Sequence, residues 1–165
     1  MSLLIALCVL LAGSAATPAQ PRTARGFVSG DVSFCDLVSE PSRYSGRQVR
    51  VRAVYRYGFE WAQLYSLHCS DSPKVWVDVS DSYVHDTPRS IRRRLEGGGP
   101  EGRTVGVVAV GQIHDGGFGP SGSFPLEFVI DRVESARVLA DASPVAEALS
   151  TSERRRVEEF EAGKQ

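Results

Sequence analysis

The sequence predicts a mainly β fold of five strands, with one helix between the third and the fourth strand. Three observations predict it: several segments alternate apolar and polar residues, one internal segment has helical spacing, and glycine or proline separates these segments. The length of 165 residues leaves room for one domain, and 42% hydrophobic residues are enough to form its core. A formal net charge of −1 argues against a protein that binds nucleic acid through bulk positive charge.

The N-terminal segment predicts export. Residues 3–12 form an unbroken apolar run, followed by the small residues 13–16. Ten residues of helix span only about 15 Å, half of a bilayer core, so the run is too short for a membrane span. No Lys or Arg precedes it, which departs from the usual pattern. We nevertheless interpret residues 1–19 as a signal peptide that is removed, and expect a periplasmic or secreted protein.

The cysteines support the same compartment. Cys8 lies within the apolar run, so the mature chain keeps Cys35 and Cys69. Two cysteines in an oxidising compartment predict one disulfide, which would stabilise the fold by roughly 3–4 kcal/mol. The alternative is a catalytic thiol with His68 as its base. It has little support, because adjacent side chains on a strand point to opposite faces.

The first predicted strand carries a basic stripe. After a flexible lead-in (residues 20–32) and a helical turn that begins at Ser33, residues 48–57 alternate strictly. Their apolar side chains share one face. Arg50, Arg52 and Arg56 share the other face and form the basic outer stripe.

The later elements follow from the same reasoning. The predictions are strands at 59–65 and 74–79, a helix capped by Thr87 with Pro88 at its first position, strands at 103–114 and 124–139, a glycine-rich turn at 116–122, and a final helix at 152–163. The domain should therefore cover residues 33–140. Residues 141–165 should form a charged, partly helical tail, loosely held because its helix has only Val157 and Phe160 as apolar anchors.

Three strands, a helix and two strands follow one another in an OB-fold barrel. The opening of the domain also resembles exported bacterial OB-fold-like proteins of uncharacterised function. The resemblance rests on a Cys-x-Leu turn at 35–37, a Pro-x-x-Tyr-x-Gly turn at 41–46 and a Val-x-Val-Arg strand at 49–52. It covers roughly residues 33–140 and implies a five-stranded OB-fold-like barrel. It implies no activity, because one fold carries many functions.

A ligand site is predicted on the outer face of this barrel. OB-folds bind oligonucleotides or oligosaccharides across their second and third strands, through aromatic stacking and basic groups. The candidate residues are Arg50, Arg52, Arg56, Trp61 and Trp76. The alternative is that the arginines only coat a solvated strand and that Trp76 packs under a loop.

Catalytic and metal sites have weaker support. The three histidines lack the spacing of metal ligands, so no metal or cofactor is expected. Glu60, between Phe59 and Trp61, could act in acid–base catalysis if it were buried, with Asp78 as a second carboxylate. The alternative is a Glu60 that only hydrogen-bonds backbone or pairs with an arginine. No Gly-x-Ser-x-Gly nucleophile motif occurs.

The sequence therefore predicts a monomeric, non-catalytic OB-fold binding module of the bacterial cell envelope, whose partner is an unknown envelope ligand or protein. Nucleic acid is not expected as a partner. The first alternative is a structural or protein–protein interaction module, and the second is a small hydrolytic enzyme that uses carboxylates such as Glu60. An exposed basic and aromatic groove would favour a ligand, and a groove filled by the protein's own side chains would favour an interaction module.

Overall fold

The computed structural model describes residues 27–69, 71–99, 102–141 and 149–163. The predicted signal peptide and residues 20–26 of the predicted lead-in lie outside the described residues. The strands are β1 (Phe27–Val32), β2 (Gln48–Gly58), β3 (Trp61–Tyr65), β4 (Val75–Val79), β5 (Arg103–Phe118) and β6 (Phe124–Ala140). The helices are α1 (Phe34–Ser39), α2 (Pro41–Tyr44), α3 (Tyr83–Asp86), α4 (Arg89–Glu96) and α5 (Thr151–Glu161).

The strands form one six-stranded sheet that closes partly into a ring. Their order is β1-β2-β3-β4-β6-β5, and β5 also pairs with β2 along almost the whole of β2. β4 and β6 run parallel, while the other neighbours in the ring are antiparallel. The prediction of a mainly β fold is confirmed, and two short helices, α3 and α4, lie between β4 and β5, where one helix was predicted.

The predicted strand count is wrong by one. β1 lies in the segment predicted as a flexible lead-in and pairs with β2 in parallel. Its sequence lacks a strand signal because Gly30, at φ 117°, interrupts it, and the register shifts between Phe27 and Asp31. β1 therefore forms because it pairs with the edge of β2, and not because its own sequence alternates.

The apolar faces predicted from alternation fill the inside of the ring. Val49, Val51 and Ala53 of β2 are fully buried and pack with residues from β4, β5 and β6. Thr87 is also buried, but it does not cap α4 as predicted. Its hydroxyl accepts a hydrogen bond from the backbone N–H of Val133 at 3.0 Å, and the helix begins two residues later. Thr87 thus attaches the start of α4 to β6.

The C-terminal helix is held more firmly than its charged sequence predicts. Ser150 and Glu153 form a capping box that satisfies the first N–H groups of α5. Val157 and Phe160 are buried and pack on Val54 and Leu139, on the outside of the ring. The two apolar anchors suffice because they meet a complementary apolar patch on β2 and β6.

Two features bear on the cellular compartment. Cys35 and Cys69 are paired at disulfide distance, with α-carbons 5.6 Å apart, inside the range of about 4.4–6.8 Å that a disulfide requires. This pairing confirms the predicted bridge and is compatible with an extracytoplasmic location. Within the described ranges, no helix is long and apolar enough to cross a membrane.

Candidate functional site

The first arginine of the predicted stripe is engaged in ion pairs. Arg50 donates to Glu134 of β6 at 2.7 Å and also pairs with Asp31 of β1. The hydrogen bond from Arg50 holds the pKa of the Glu134 carboxyl below its usual range. Arg50 therefore joins three strands on the outside of the ring, and two of its five N–H donors are engaged in ion pairs.

The second arginine lies beneath the end of α5. The Arg52 guanidinium is 5.1 Å from the centre of the Phe160 ring, and it donates to the Phe160 carbonyl at 3.4 Å. Val54, the next outward residue of β2, is buried under the same helix. The basic stripe is thus interrupted by the protein's own side chains between Arg52 and Arg56.

The two tryptophans are half-buried and pack locally. A Cβ at Gly58 would lie 2.6 Å from the indole nitrogen of Trp61, so the ring lies directly on that backbone. Trp76 is tilted against Phe124, with ring centres 5.2 Å apart, and Gly119 of the β5–β6 turn lies against its ring. The structure agrees with the alternative that Trp76 packs under a loop, although the side chain keeps part of its surface exposed.

The sheet register assembles a different row of side chains. Arg56 pairs with Gln63, Gln63 with Trp76, Trp76 with Glu127, and Glu127 with His114. Because directly paired residues project from the same face of a sheet, these five side chains cross five strands on the outside of the ring. We call them the outer row. Gln63 is buried, and the other four are half-buried.

At the acidic end of the outer row, the surroundings of Glu127 disfavour its ionised form. Partial burial and the nearby Asp78 carboxylate raise the pKa of Glu127, and His114 acts in the opposite direction. Asp78 lies two residues after Trp76 on β4 and so shares its face. This end therefore presents two carboxylates and an imidazole next to an indole.

The basic end of the outer row opens into a cavity of about 150 Å³. Arg56 and Gln63 line it together with Lys74, Arg154 and Tyr65. No described residue accepts a hydrogen bond from the buried hydroxyl of Tyr65, and burial raises the pKa of Tyr65 to about 12. A ligand that accepts a hydrogen bond would satisfy this hydroxyl.

Of the predicted site residues, the outer row contains Arg56 and Trp76 but not Arg50, Arg52 or Trp61. Gln63 and Glu127 were not anticipated, and His114 was considered only as a metal ligand. Their polar character within alternating strands was a usable signal. Which of them meet depends on the register of strands that are far apart in sequence.

The structure does not support the premise of the Glu60 hypothesis. Glu60 lies in the β2–β3 turn at φ 61° and is exposed, so it lacks the burial that the hypothesis required. Asp78, its expected partner, interacts with Glu127 instead. Among the described residues, no group of three His, Cys, Asp or Glu side chains is arranged to hold a metal ion.

Comparison with known proteins gives no independent guide to function. No protein-family model matches the chain, and no curated protein sequence matches it. The function must therefore be argued from the geometry of its sites.

Proposed function

We propose that this protein is an exported, non-catalytic binding module with an OB-fold-like barrel, and that it binds an oligosaccharide of the cell envelope along the outer row. The strand order supports the fold assignment. If β2 is counted as the first strand of the barrel, the order around the ring is first, second, third, fifth and fourth (β2, β3, β4, β6 and β5). The helices lie between the third and the fourth strand in the sequence, as in an OB-fold. β1 would then be an additional strand on the edge of this barrel.

Export is supported by two features that arise from different parts of the chain. The paired Cys35 and Cys69 are compatible with an oxidising compartment. The apolar run at residues 3–12, followed by small residues, has the composition of a secretory signal. Both features favour the periplasm or the cell exterior.

The outer row is the observation that carries the proposed binding activity. It crosses the second and third strands of the proposed barrel, the face on which OB-folds bind oligomers. Because β5 also pairs with β2, the outer row curves around the ring, and a short oligomer centred on Trp76 would contact Gln63 on one neighbouring strand and Glu127 on the other, over roughly 10 Å. Phe124 and Gly119 cover part of the Trp76 indole, and its exposed part offers a surface for stacking, while the planar groups of Gln63 and Glu127 can hydrogen-bond sugar hydroxyls.

Charge favours a sugar over a nucleic acid. Glu127 and Asp78 would repel the phosphates of a strand that ran along the row, and the net charge of −1 supplies no compensating attraction. Hydroxyl groups, by contrast, can both donate to these carboxylates and accept from Arg56 or Tyr65. The row therefore suits an oligomer rich in hydroxyl groups.

The binding proposal can be tested with the mature protein on glycan and oligonucleotide arrays. We expect binding to glycans, and a loss of about 5- to 150-fold in affinity for Trp76→Ala, as for the removal of a stacking ring. Trp76→Phe should restore part of the affinity. His114→Ala should weaken binding, whereas His85→Ala, an exposed histidine on α3, should have no effect.

Other results would favour the alternatives. Binding to oligonucleotides alone would contradict the sugar proposal. A second result would favour the interaction-module alternative over the sugar proposal. In that case neither array shows binding, and a pull-down from envelope extract captures a protein that binds the outer-row variants as well as the wild type. The exposed Phe59 in the β2–β3 turn would then be the first residue to test.

A further inference from the structure

A second cavity, of about 280 Å³, lies beside the disulfide and is not part of the outer row. Residues 31–35 form one wall, from the end of β1 into α1. Arg52, Ser66, His68 and Glu161 form the rest of the lining. These residues come from β2, from the segment after β3 and from the last residue of α5, so the cavity exists only because α5 is docked.

Glu161 is the unusual group in this cavity. Its side chain is only 4% exposed. One carboxylate oxygen, Oε1, accepts a hydrogen bond from the backbone N–H of Leu67 at 3.0 Å. The other oxygen, Oε2, is buried and has no hydrogen-bond partner among the described residues. The Nε2 atom of His68 lies 3.7 Å from Oε2, which is too long for a hydrogen bond.

The position of Glu161 is unfavourable for folding in three respects. A buried carboxylate loses its hydration, and an unpaired oxygen adds to that loss. Glu161 is also the last residue of α5, where the helix dipole disfavours a negative charge. The bond to Leu67 requires only one carbonyl-type oxygen, which a glutamine would supply at lower cost. No described residue uses the second oxygen, which is the acceptor that a bound donor would find in this cavity.

A group of opposite charge lines the same cavity. The Arg52 guanidinium makes one long hydrogen bond to the Phe160 carbonyl and lies over the Phe160 ring, which leaves several of its five N–H donors for other acceptors. A ligand that fits between Arg52 and Glu161 would thus meet a donor on one wall and an acceptor on another.

We infer that this cavity binds a small zwitterion, namely a free amino acid, whose ammonium group donates to Oε2 of Glu161 and whose carboxylate accepts from Arg52. Charge-assisted hydrogen bonds of this type are stronger than neutral ones. The cavity volume lies just below the range of about 300–1,000 Å³ for ligand sites, which suits a small molecule. This inference does not depend on the oligosaccharide proposal, because Arg52 and Glu161 are not in the outer row, although Phe34 and Ser66 line both cavities.

The test is a titration of the mature, oxidised protein with each of the twenty common L-amino acids, followed by calorimetry and by the amide NMR signals of Leu67 and His68. We expect at least one amino acid to bind with a dissociation constant of about 1 mM or lower and to shift both signals. Ethylamine and acetate, each carrying one of the two charges, should bind at least tenfold more weakly.

Variants separate the role of the carboxylate from that of the fold. Glu161→Gln keeps an acceptor for Leu67 but can present an amide N–H₂ in place of Oε2, so affinity should fall at least tenfold. Glu158→Gln, an exposed position on the same helix, should bind like the wild type. Binding by none of the twenty amino acids would overturn the inference, because water alone would then occupy the cavity. Undiminished affinity in a folded Glu161→Gln variant, or wild-type binding without shifts at Leu67 and His68, would also overturn it.

Discussion

Glu127 and Glu134 lie on the same strand, yet their surroundings displace their carboxyl pKa values in opposite directions. Arg50 and Arg132 donate hydrogen bonds to Glu134 and lower its pKa. In the part of the chain that the structure describes, Glu127 forms no ion pair with an arginine, and partial burial together with Asp78 raises its pKa. The neighbours supplied by the adjoining strands, and not the residue type, decide which carboxylate stabilises the fold.

We predict that Glu127→Gln stabilises the protein at neutral pH. A carboxyl group whose pKa is higher in the folded state than in the unfolded state favours folding when protonated and opposes it when ionised. The gain should be no more than about 1 kcal/mol at pH 7, because the side chain is half-exposed. It should vanish below the ordinary glutamate pKa of about 4.3. Urea unfolding at pH 7 and at pH 3.5 measures both values.

The control for this prediction has the opposite sign. Glu134 has a lowered pKa, so Glu134→Gln should destabilise the protein at pH 7, and the difference should shrink as the pH falls through that lowered pKa. A Glu127→Gln variant that is less stable than the wild type at pH 7 would show that its carboxylate makes a stabilising contact instead.

At the scale of elements, the docking of α5 depends on a glycine in β5. Gly106 pairs with Val54 in the β2–β5 register, and the Phe160 ring lies directly on Gly106. A Cβ at Gly106 would lie 2.6 Å from that ring, closer than packed atoms approach. The absence of a side chain in β5 therefore creates the space that the helix occupies.

We predict that Gly106→Ala displaces Phe160 and loosens α5. In an ordinary strand this substitution would be favourable, because glycine weakens strands, but here the clash should dominate and lower the free energy of unfolding by about 1–3 kcal/mol. Limited proteolysis should cut between residues 149 and 163 faster than in the wild type. Gly117→Ala is the matched control, because the nearest atom to its added Cβ is 3.6 Å away. Wild-type protease resistance in Gly106→Ala would contradict this account of α5 docking.

At the scale of the whole molecule, the disulfide joins two regions that the ring has already brought together. Cys35 belongs to α1, before β2, and Cys69 ends the short 3₁₀ turn Leu67–Cys69 that follows β3. Their separation of 34 residues means that the bridge restricts a long loop in the unfolded chain. It also fixes the α1 wall of the cavity that contains Glu161.

We predict that Cys35→Ser or Cys69→Ser lowers the free energy of unfolding by roughly 2–5 kcal/mol and the melting temperature by several degrees or more. Scanning calorimetry with and without reductant measures this loss. Reductant should destabilise the wild type by a similar amount and should leave the serine variants unchanged. Native, unreduced mature protein should contain no thiol that can be alkylated. Two alkylated cysteines in that sample would contradict the bridge.

The sequence alone determined those features that depend on neighbouring residues. Alternation in β2 and β4 identified most of the side chains that enter the ring, because the strand period of two is a property of the backbone itself. The exceptions are Val79, which is exposed at the end of β4, and Val54, which is buried under α5 on the outer face. Glycine and proline marked the ends of these elements. The pairing of Cys35 with Cys69 could be predicted because the third cysteine, Cys8, lies in the predicted signal peptide.

Only the tertiary structure decided how these elements meet. β1 formed on an edge of β2, the Phe160 ring of α5 packed against Arg52, which alternation had placed outside, and Arg50 joined Glu134, a residue 84 positions away. The outer row likewise needs the register of five strands at once. A shift of one residue in any pairing would move a whole side-chain set to the other face, and no local pattern in the sequence fixes that register. It is fixed by the simultaneous packing of all six strands around one core.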